Sequence, residues 1–217
     1  AGMSAESGLK TFRDSDGLWE NHNVYDVATP EAWERDPEMV LKFYNERRKQ
    51  VRDAKPNKAH VALGKLEEKY DVHIITQNID DLHERGGSTQ VIHLHGEINK
   101  VRSTVDPGLI NELDHWEMKL GDLCEKGSQL RPHIVWFGEA VPMIEKAIPI
   151  VKMADVVMVI GTSLSVYPAA GLLNYATSSS QKYYIDPKGF EGDNHYPFEI
   201  IKETAGVGVP RLVDQLL

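Results

Sequence analysis

A single cysteine, Cys124, in 217 residues leaves nothing for an intramolecular disulfide to pair with and fits a reducing compartment. No apolar run approaches the roughly 18 residues that a membrane-spanning helix needs. The opening Ala1-Gly2-Met3-Ser4 has neither the charged nor the apolar region of a signal peptide, so the expected location is the cytoplasm. Basic residues are the minority, 24 Lys and Arg against 33 Asp and Glu. The resulting charge of −9 argues against nucleic acid or an anionic membrane as partner and tolerates basic, lysine-bearing ones. Internal repeats are absent, and Ser178-Ser179-Ser180 is the only low-complexity patch. What is present is enough apolar material, 41% of the chain, for the core of one domain carrying at most a small inserted module.

Apolar runs of two kinds alternate along the chain. Val72-His73-Ile74-Ile75-Thr76, Val91-Ile92-His93-Leu94, 133–137, 155–160 and 183–185 have the β-branched or aromatic composition of buried strands. Between them, helical spacing predicts helices starting at Thr29-Pro30-Glu31, over 37–52 (Val40, Phe43, Tyr44 and Arg47 three or four apart), over 58–69 and over 143–153, and a last one after Pro210. The alternation implies an α/β fold with a doubly wound, Rossmann-like parallel sheet. From Glu97 to Pro132 the pattern is charged and aperiodic, which marks an inserted module; with the helical segment before residue 58 it forms a smaller, mostly helical unit.

The strand-like runs near 76 and 94 stop abruptly at Gln77-Asn78-Ile79-Asp80-Asp81 and at His93-Leu94-His95-Gly96. Ligands of open α/β sheets bind beyond the carboxyl ends of the strands, so these residues form the floor of a candidate site. Taken singly, Asn78 and Asp80 read as caps of a helix starting near Asp81, and a lone His95 as a structural histidine. His93 would point the same way as His95 on a regular strand, but a metal pair lacks a third ligand at helpful spacing. Two loops of small residues, 1–8 and Gly161-Thr162-Ser163, suit a dinucleotide's phosphates and ribose. A dinucleotide fold opens with a strand before its first such loop; none is present here, so the chain is expected to start late, and intact mass against 24.4 kDa tests this.

Ala1-Gly2-Met3-Ser4-Ala5-Glu6-Ser7-Gly8-Leu9-Lys10-Thr11-Phe12-Arg13, Gln77-Asn78-Ile79-Asp80, His95-Gly96, Trp136-Phe137-Gly138-Glu139 and Gly161-Thr162-Ser163 together resemble the sirtuins, NAD-dependent protein lysine deacylases, in the family's order over essentially the whole chain. The resemblance is strongest to the bacterial class that includes desuccinylases and demalonylases. It implies that NAD is consumed as a co-substrate. Ala1, Gly2, Ser4, Ala5, Glu6, Thr11, Phe12, Arg13 and Trp19 would wrap its diphosphate and nicotinamide ribose. Gln77, Asn78, Ile79 and Asp80 would line the ribose and nicotinamide pocket, Gly161, Thr162, Ser163, Tyr184, Ile185 and Asp186 the rest of the dinucleotide, and Ala205 the adenine. His95 and Asn78 are the implied catalytic pair: the acyl-lysine oxygen attacks the ribose C1′ as nicotinamide leaves, and His95 is general base on a ribose hydroxyl. The products are free lysine, nicotinamide and O-acyl-ADP-ribose. A pKa of about 6.5 suits histidine to that task. Val135, Phe137, Gly138, Glu139 and Val166 would clamp an extended peptide and wall the lysine tunnel. Tyr44 and Arg47, on one helix face, match the Tyr-x-x-Arg of sirtuins that prefer succinyl or malonyl over acetyl groups, because a guanidinium grips a carboxylate bidentately.

The implied domain division is an NAD-binding domain of residues 1–13, 58–96 and 132–217, and a small domain of 14–57 and 97–131. Partners are acyl-lysine proteins or peptides, with no nucleic acid or membrane and the oligomeric state open, a monomer included. Two departures stand out. Where sirtuins carry two zinc-binding cysteine pairs, this chain has Val101-Arg102-Ser103-Thr104 and the lone Cys124, so no metal is expected, and Leu109, Leu113, Trp116, Met118 and Leu120 are expected to pack the module instead. One equivalent of zinc per chain by elemental analysis would overturn this. Where the family has Asn-Leu-Glu-Pro, this chain has Tyr184-Ile185-Asp186-Pro187. Competing readings are a sirtuin-like NAD glycohydrolase or ADP-ribosyltransferase, a non-catalytic NAD-binding module, and, from fold alone, an NAD dehydrogenase.

Overall fold

A computed structural model describes residues 2–10, 18–19, 22–190 and 196–217. After a 3₁₀ turn, Gly2–Ser7, strands β1 (Leu18–Trp19) and β2 (His22–Asn23) form a short antiparallel ladder. Helix starts then follow the capping chemistry of the sequence closely. Asn23 caps α1 (Val24–Val27), Thr29 Oγ1 accepts from Ala32 N ahead of α2 (Pro30–Arg35), and Asp36 caps α3 (Pro37–Asp53), the last two with proline in the first turn. Helix α4 (Lys58–Leu66) opens on a capping box between Asn57 and His60.

Strand β3 (Ile74–Thr76) runs parallel to β4 (Val91–His93), with α5 (Leu82–Arg85) between them. The region without sequence period is a β-sheet: β5 (Gly96–Ser103) pairs antiparallel with β6 (Ile110–Glu112) and with β7 (Leu130–Ile134). The run expected as a strand over 133–137 thus belongs to this sheet and stops three residues early, because the Trp136 amide donates to Glu139 Oε2 at 2.8 Å. Helix α6 (Ile144–Met153), β8 (Val156–Ile160), a 3₁₀ segment Ala169–Tyr175, β9 (Gln181–Ile185), β10 (Phe198–Ile201) and α7 (Ala205–Leu216) complete the chain, with β10, β9 and β8 parallel in that order.

Helices cover both faces of the parallel strands. Leu63 and Leu66 of α4 pack with Val209, Leu212 and Val213 of α7 against Ile74, Ile185 and Ile201; on the other face Ala147 and Val151 of α6 meet Leu94 and Leu172. Strands β3 and β8 face each other across a cavity of about 570 Å³ and are not hydrogen-bonded to one another. Helix α7 starts five residues before Pro210, not after it. Glu6 explains this, accepting from Gly206 N at 2.6 Å and from Thr204 Oγ1 at 3.0 Å; a cap supplied from 200 residues away leaves no local signal.

Of the residues expected to pack the 97–131 module, Met118 is buried with Leu41 and Val101, and Leu113 packs against them, whereas Leu120 is exposed. The remaining attachment is polar. Arg48, wholly buried on α3, donates to Ile98 O and Trp116 O at 2.7 Å each, and Asn45 exchanges two hydrogen bonds with the Met118 backbone. Buried carbonyls are thereby satisfied by one helix face. No helix among the described residues is long and apolar enough to cross a membrane.

Candidate active site

The site forms where β3 and β4 end. Leu94 N donates to Thr76 O and Val135 N to His95 O, so His95 sits in the turn between the parallel strands and the antiparallel module. Gly96 makes that turn possible: its φ is +84°, and a Cβ there would lie 2.0 Å from His133 O. Hydrogen bonding settles the imidazole's state. Nδ1 lies 3.2 Å from Gln77 O, an acceptor, so the proton is on Nδ1 and the Nε2 lone pair is left for the cavity. Burial holds its pKa below the ordinary 6.5, keeping it neutral at physiological pH.

His93 does not share that direction, because His95 lies beyond the end of regular strand. Its Nδ1 faces Asn78 O at 3.1 Å and its Nε2 the Glu84 carboxylate at 2.7 Å. Both partners only accept, so the ring carries both protons. Burial opposes that charge, but the Glu84 hydrogen bond and charge outweigh it and the pKa stands above its usual value. His93 is a brace for Asn78, and among the described residues no cluster of three or more His, Cys, Asp or Glu is arranged to hold a metal.

A cavity of about 240 Å³ is lined by Ser4, Gln77, Asn78, Ile79, Asp80 and His95 on one side and by Tyr44, Arg47, Val135, Phe137, Gly138, Glu139 and Val166 on the other. Most of the expected floor and clamp therefore converges. Asn78 Nδ2 donates to Ser4 Oγ at 2.9 Å and Gln77 Nε2 to Thr162 Oγ1 at 3.3 Å. Asp80 fills both readings: it lines the cavity while Oδ1 accepts from Leu82 N. Gly2 N donates to Gly161 O at 2.6 Å, and a Cβ on Gly161, at φ +61°, would come 2.8 Å from Met3 N.

Other expected residues lie off this cavity. Glu6 is occupied capping α7, Ile185 is wholly buried in the core with only its carbonyl reaching Gly161 N, and Tyr184 donates to Thr162 O at 2.7 Å. Asp186 is buried and accepts from Lys188 N, Ala205 begins α7, and Ala5 and Ser163 are not among the cavity's walls. Ala1, Thr11, Phe12 and Arg13, and the Trp19 side chain, fall outside the described residues.

Glu139, expected at the substrate edge, is also a structural anchor. It accepts from Arg131 at 2.7 and 3.1 Å, from Arg102 at 3.1 Å and from Trp136 N, while the Arg131 guanidinium stacks 3.3 Å from the Trp136 ring centre. Trp136 Nε1 in turn donates to Tyr44 Oη at 2.9 Å. Burial pushes the Tyr44 phenol well above its usual pKa, so it stays protonated. Sequence reading missed Arg102, Arg131 and the indole bond, since nothing local ties residues 44, 102 and 131 together. Arg47 donates to Lys10 O at 2.8 Å and Gln50 Oε1 at 3.2 Å from within the cavity wall.

Below the floor, His60 and His83 meet edge to face at 4.8 Å, and burial pushes each pKa down to about 4. Unfolding returns both rings to about 6.5. Their contribution is thus complete above pH 6.5 and is lost as pH falls toward 4, so the melting temperature should drop across that window before most carboxylates titrate. His93, with its raised pKa, acts in the opposite sense over the same window, so a flat profile from pH 7 to 4.5 in a variant with His93 replaced by glutamine would contradict the burial of these rings.

Comparison with known proteins places this geometry. The Sir2 family model matches residues 1–168. An NAD-dependent protein deacylase of Helicobacter pylori is 52% identical, covering 100% of this chain and 94% of that protein, and one of Bacteroides thetaiotaomicron is 50% identical over 100% and 95%. Among solved structures, a Sir2 homolog in complex with NAD has a TM-score of 0.90 at 40% identity, covering 100% of this chain and 86% of that one.

Proposed function

Since this chain belongs to the Sir2 family and is an NAD-dependent protein deacylase, we propose that its preferred substrates are lysines bearing a carboxylate-terminated acyl group, succinyl or malonyl, with acetyl also accepted. One observation carries the preference: Arg47 and Tyr44 line the same cavity as His95. A guanidinium and a protonated phenol in the same cavity as the apolar side chains of Val135, Phe137 and Val166 suit a distal carboxylate.

The residues present fit the cofactor. The close crossing of Gly2 over Gly161, which a Cβ would block, brings small residues to the end of β8, and Ser4, Gln77, Asn78 and Thr162 supply neutral hydroxyls and amides beyond it. NAD, when bound, supplies an electrophilic ribose carbon with nicotinamide as its leaving group. Asn78 and Asp80 orient the ribose and nicotinamide side, Asn78 being held through its side chain by Ser4 and through its carbonyl by His93. His95 takes a hydroxyl proton at Nε2, and the Gln77 carbonyl stabilises the imidazolium that results. Phe137 and Val166 flank the entrance for the lysine stem. The insertion is read as metal-free, held by Arg48, Asn45 and Met118.

Incubation with NAD and matched acetyl, succinyl and malonyl peptides, with products weighed, tests this reading. Expected are nicotinamide and O-acyl-ADP-ribose, formed fastest from succinyl or malonyl peptides. Acetyl turnover equal or faster removes the acidic preference, and nicotinamide release without peptide favours a glycohydrolase.

A further inference from the structure

We propose that the His93–Glu84 ion pair positions the cavity floor for the reaction and makes it pH-dependent: the doubly protonated ring grips the Asn78 carbonyl, and loss of one proton releases it. This rests on NAD-dependent deacylation at the cavity described above and not on the acyl preference.

His93 ends β4 and is buried opposite Thr76 of β3, while Glu84 reaches it from α5 and stays partly exposed. Its Nε2 donates to Glu84 Oε1 at 2.7 Å and its Nδ1 to Asn78 O at 3.1 Å. The first bond is charge-assisted and the second goes to a neutral amide, so the proton that leaves first is the one on Nδ1. A lone pair then faces a lone pair, and the Asn78 carbonyl loses this donor.

That loss reaches the floor through the backbone. The Asn78 amide N–H donates to Thr76 Oγ1 at 3.0 Å and its side chain to Ser4 Oγ at 2.9 Å, while its carbonyl lies in the peptide plane shared with Ile79. Ser4, Asn78 and Ile79 all line the cavity with His95, so a turn of that plane displaces lining residues together.

The surroundings favour the charged ring. Burial opposes the charge, but the Glu84 hydrogen bond and charge, the Asn78 carbonyl and Glu97 of β5 together raise the pKa above 6.5. Glu84 responds in kind: burial pushes its carboxyl up, and the His93 hydrogen bond and charge outweigh this and hold it below the usual range. His83, beside the pair on α5, is itself neutral at physiological pH because burial lowers its pKa to about 4.

The pH dependence of kcat/KM for NAD, measured at a saturating concentration of whichever acyl peptide turns over fastest, tests the assignment. The unaltered protein should show an alkaline limb centred above pH 6.5 that falls roughly tenfold to a plateau. Glu84→Gln, which removes the charge and keeps an acceptor, should move that limb down by roughly one pH unit. His93→Leu should be slower by roughly tenfold with no limb, and His93→Asn, whose amide keeps a donor in place of Nδ1, should recover most of the loss without restoring the limb. A limb that none of these changes moves, or unchanged NAD kinetics in His93→Leu, would overturn the proposal. Should His93→Leu fail to fold, ¹⁵N shifts of the imidazole in the unaltered protein decide: protons on both nitrogens at pH 6.5 support the assignment, and a proton on one alone ends it.

Discussion

Replacing His95 by alanine is expected to lower deacylation turnover by about 10²- to 10⁴-fold, the range for a general base, with the melting temperature near that of the parent. The prediction follows from one hydrogen bond. Gln77 O fixes the proton on Nδ1, and Nε2 is the only unprotonated nitrogen of this ring that the cavity can use. Because burial lowers the His95 pKa, turnover should hold down to pH 6.5 and fall only below it, as imidazolium forms and the lone pair is lost. A variant retaining more than a tenth of the parent rate, or an acid limb centred above pH 6.5, would remove His95 from the reaction.

The second large effect is expected at Arg47. Arg47→Met should lower kcat/KM on succinyl-lysine peptides by about 10- to 100-fold, as loss of a charge-assisted hydrogen bond predicts. Acetyl-lysine peptides should lose much less. A loss common to both substrates is expected to remain, because Arg47 also donates to Lys10 O in the loop after the first 3₁₀ turn. The ratio of the two losses is therefore the informative quantity. Equal losses would show that Arg47 supports the loop and does not read the acyl group.

Legibility in the sequence followed the range of the interaction. Helix starts at residues 30, 37 and 58 were readable because cap and first turn are neighbours, as Thr29 with Ala32 or Asp36 with Met39. The strand at 156–160 was readable from five successive apolar residues. The three-stranded module was not, since its strands carry charged residues and few successive apolar ones and are paired across as many as 38 residues, as Gly96 with Ile134. The true start of α7 escaped for the same reason, its cap being Glu6.

By itself the sequence determined which chemistry was available: the Asn78, Asp80 and His95 run at strand ends, the small-residue loops, the Tyr44 and Arg47 spacing and the family they resemble. Tertiary structure alone decided which histidine can act and in what state. Residues 60, 83, 93 and 95 carry the same side chain, yet two are buried neutral, one is a cation between two acceptors, and one keeps a lone pair toward the cavity. The reason is physical: a proton's position is set by the partners that face each nitrogen, and those partners are brought from elsewhere in the chain.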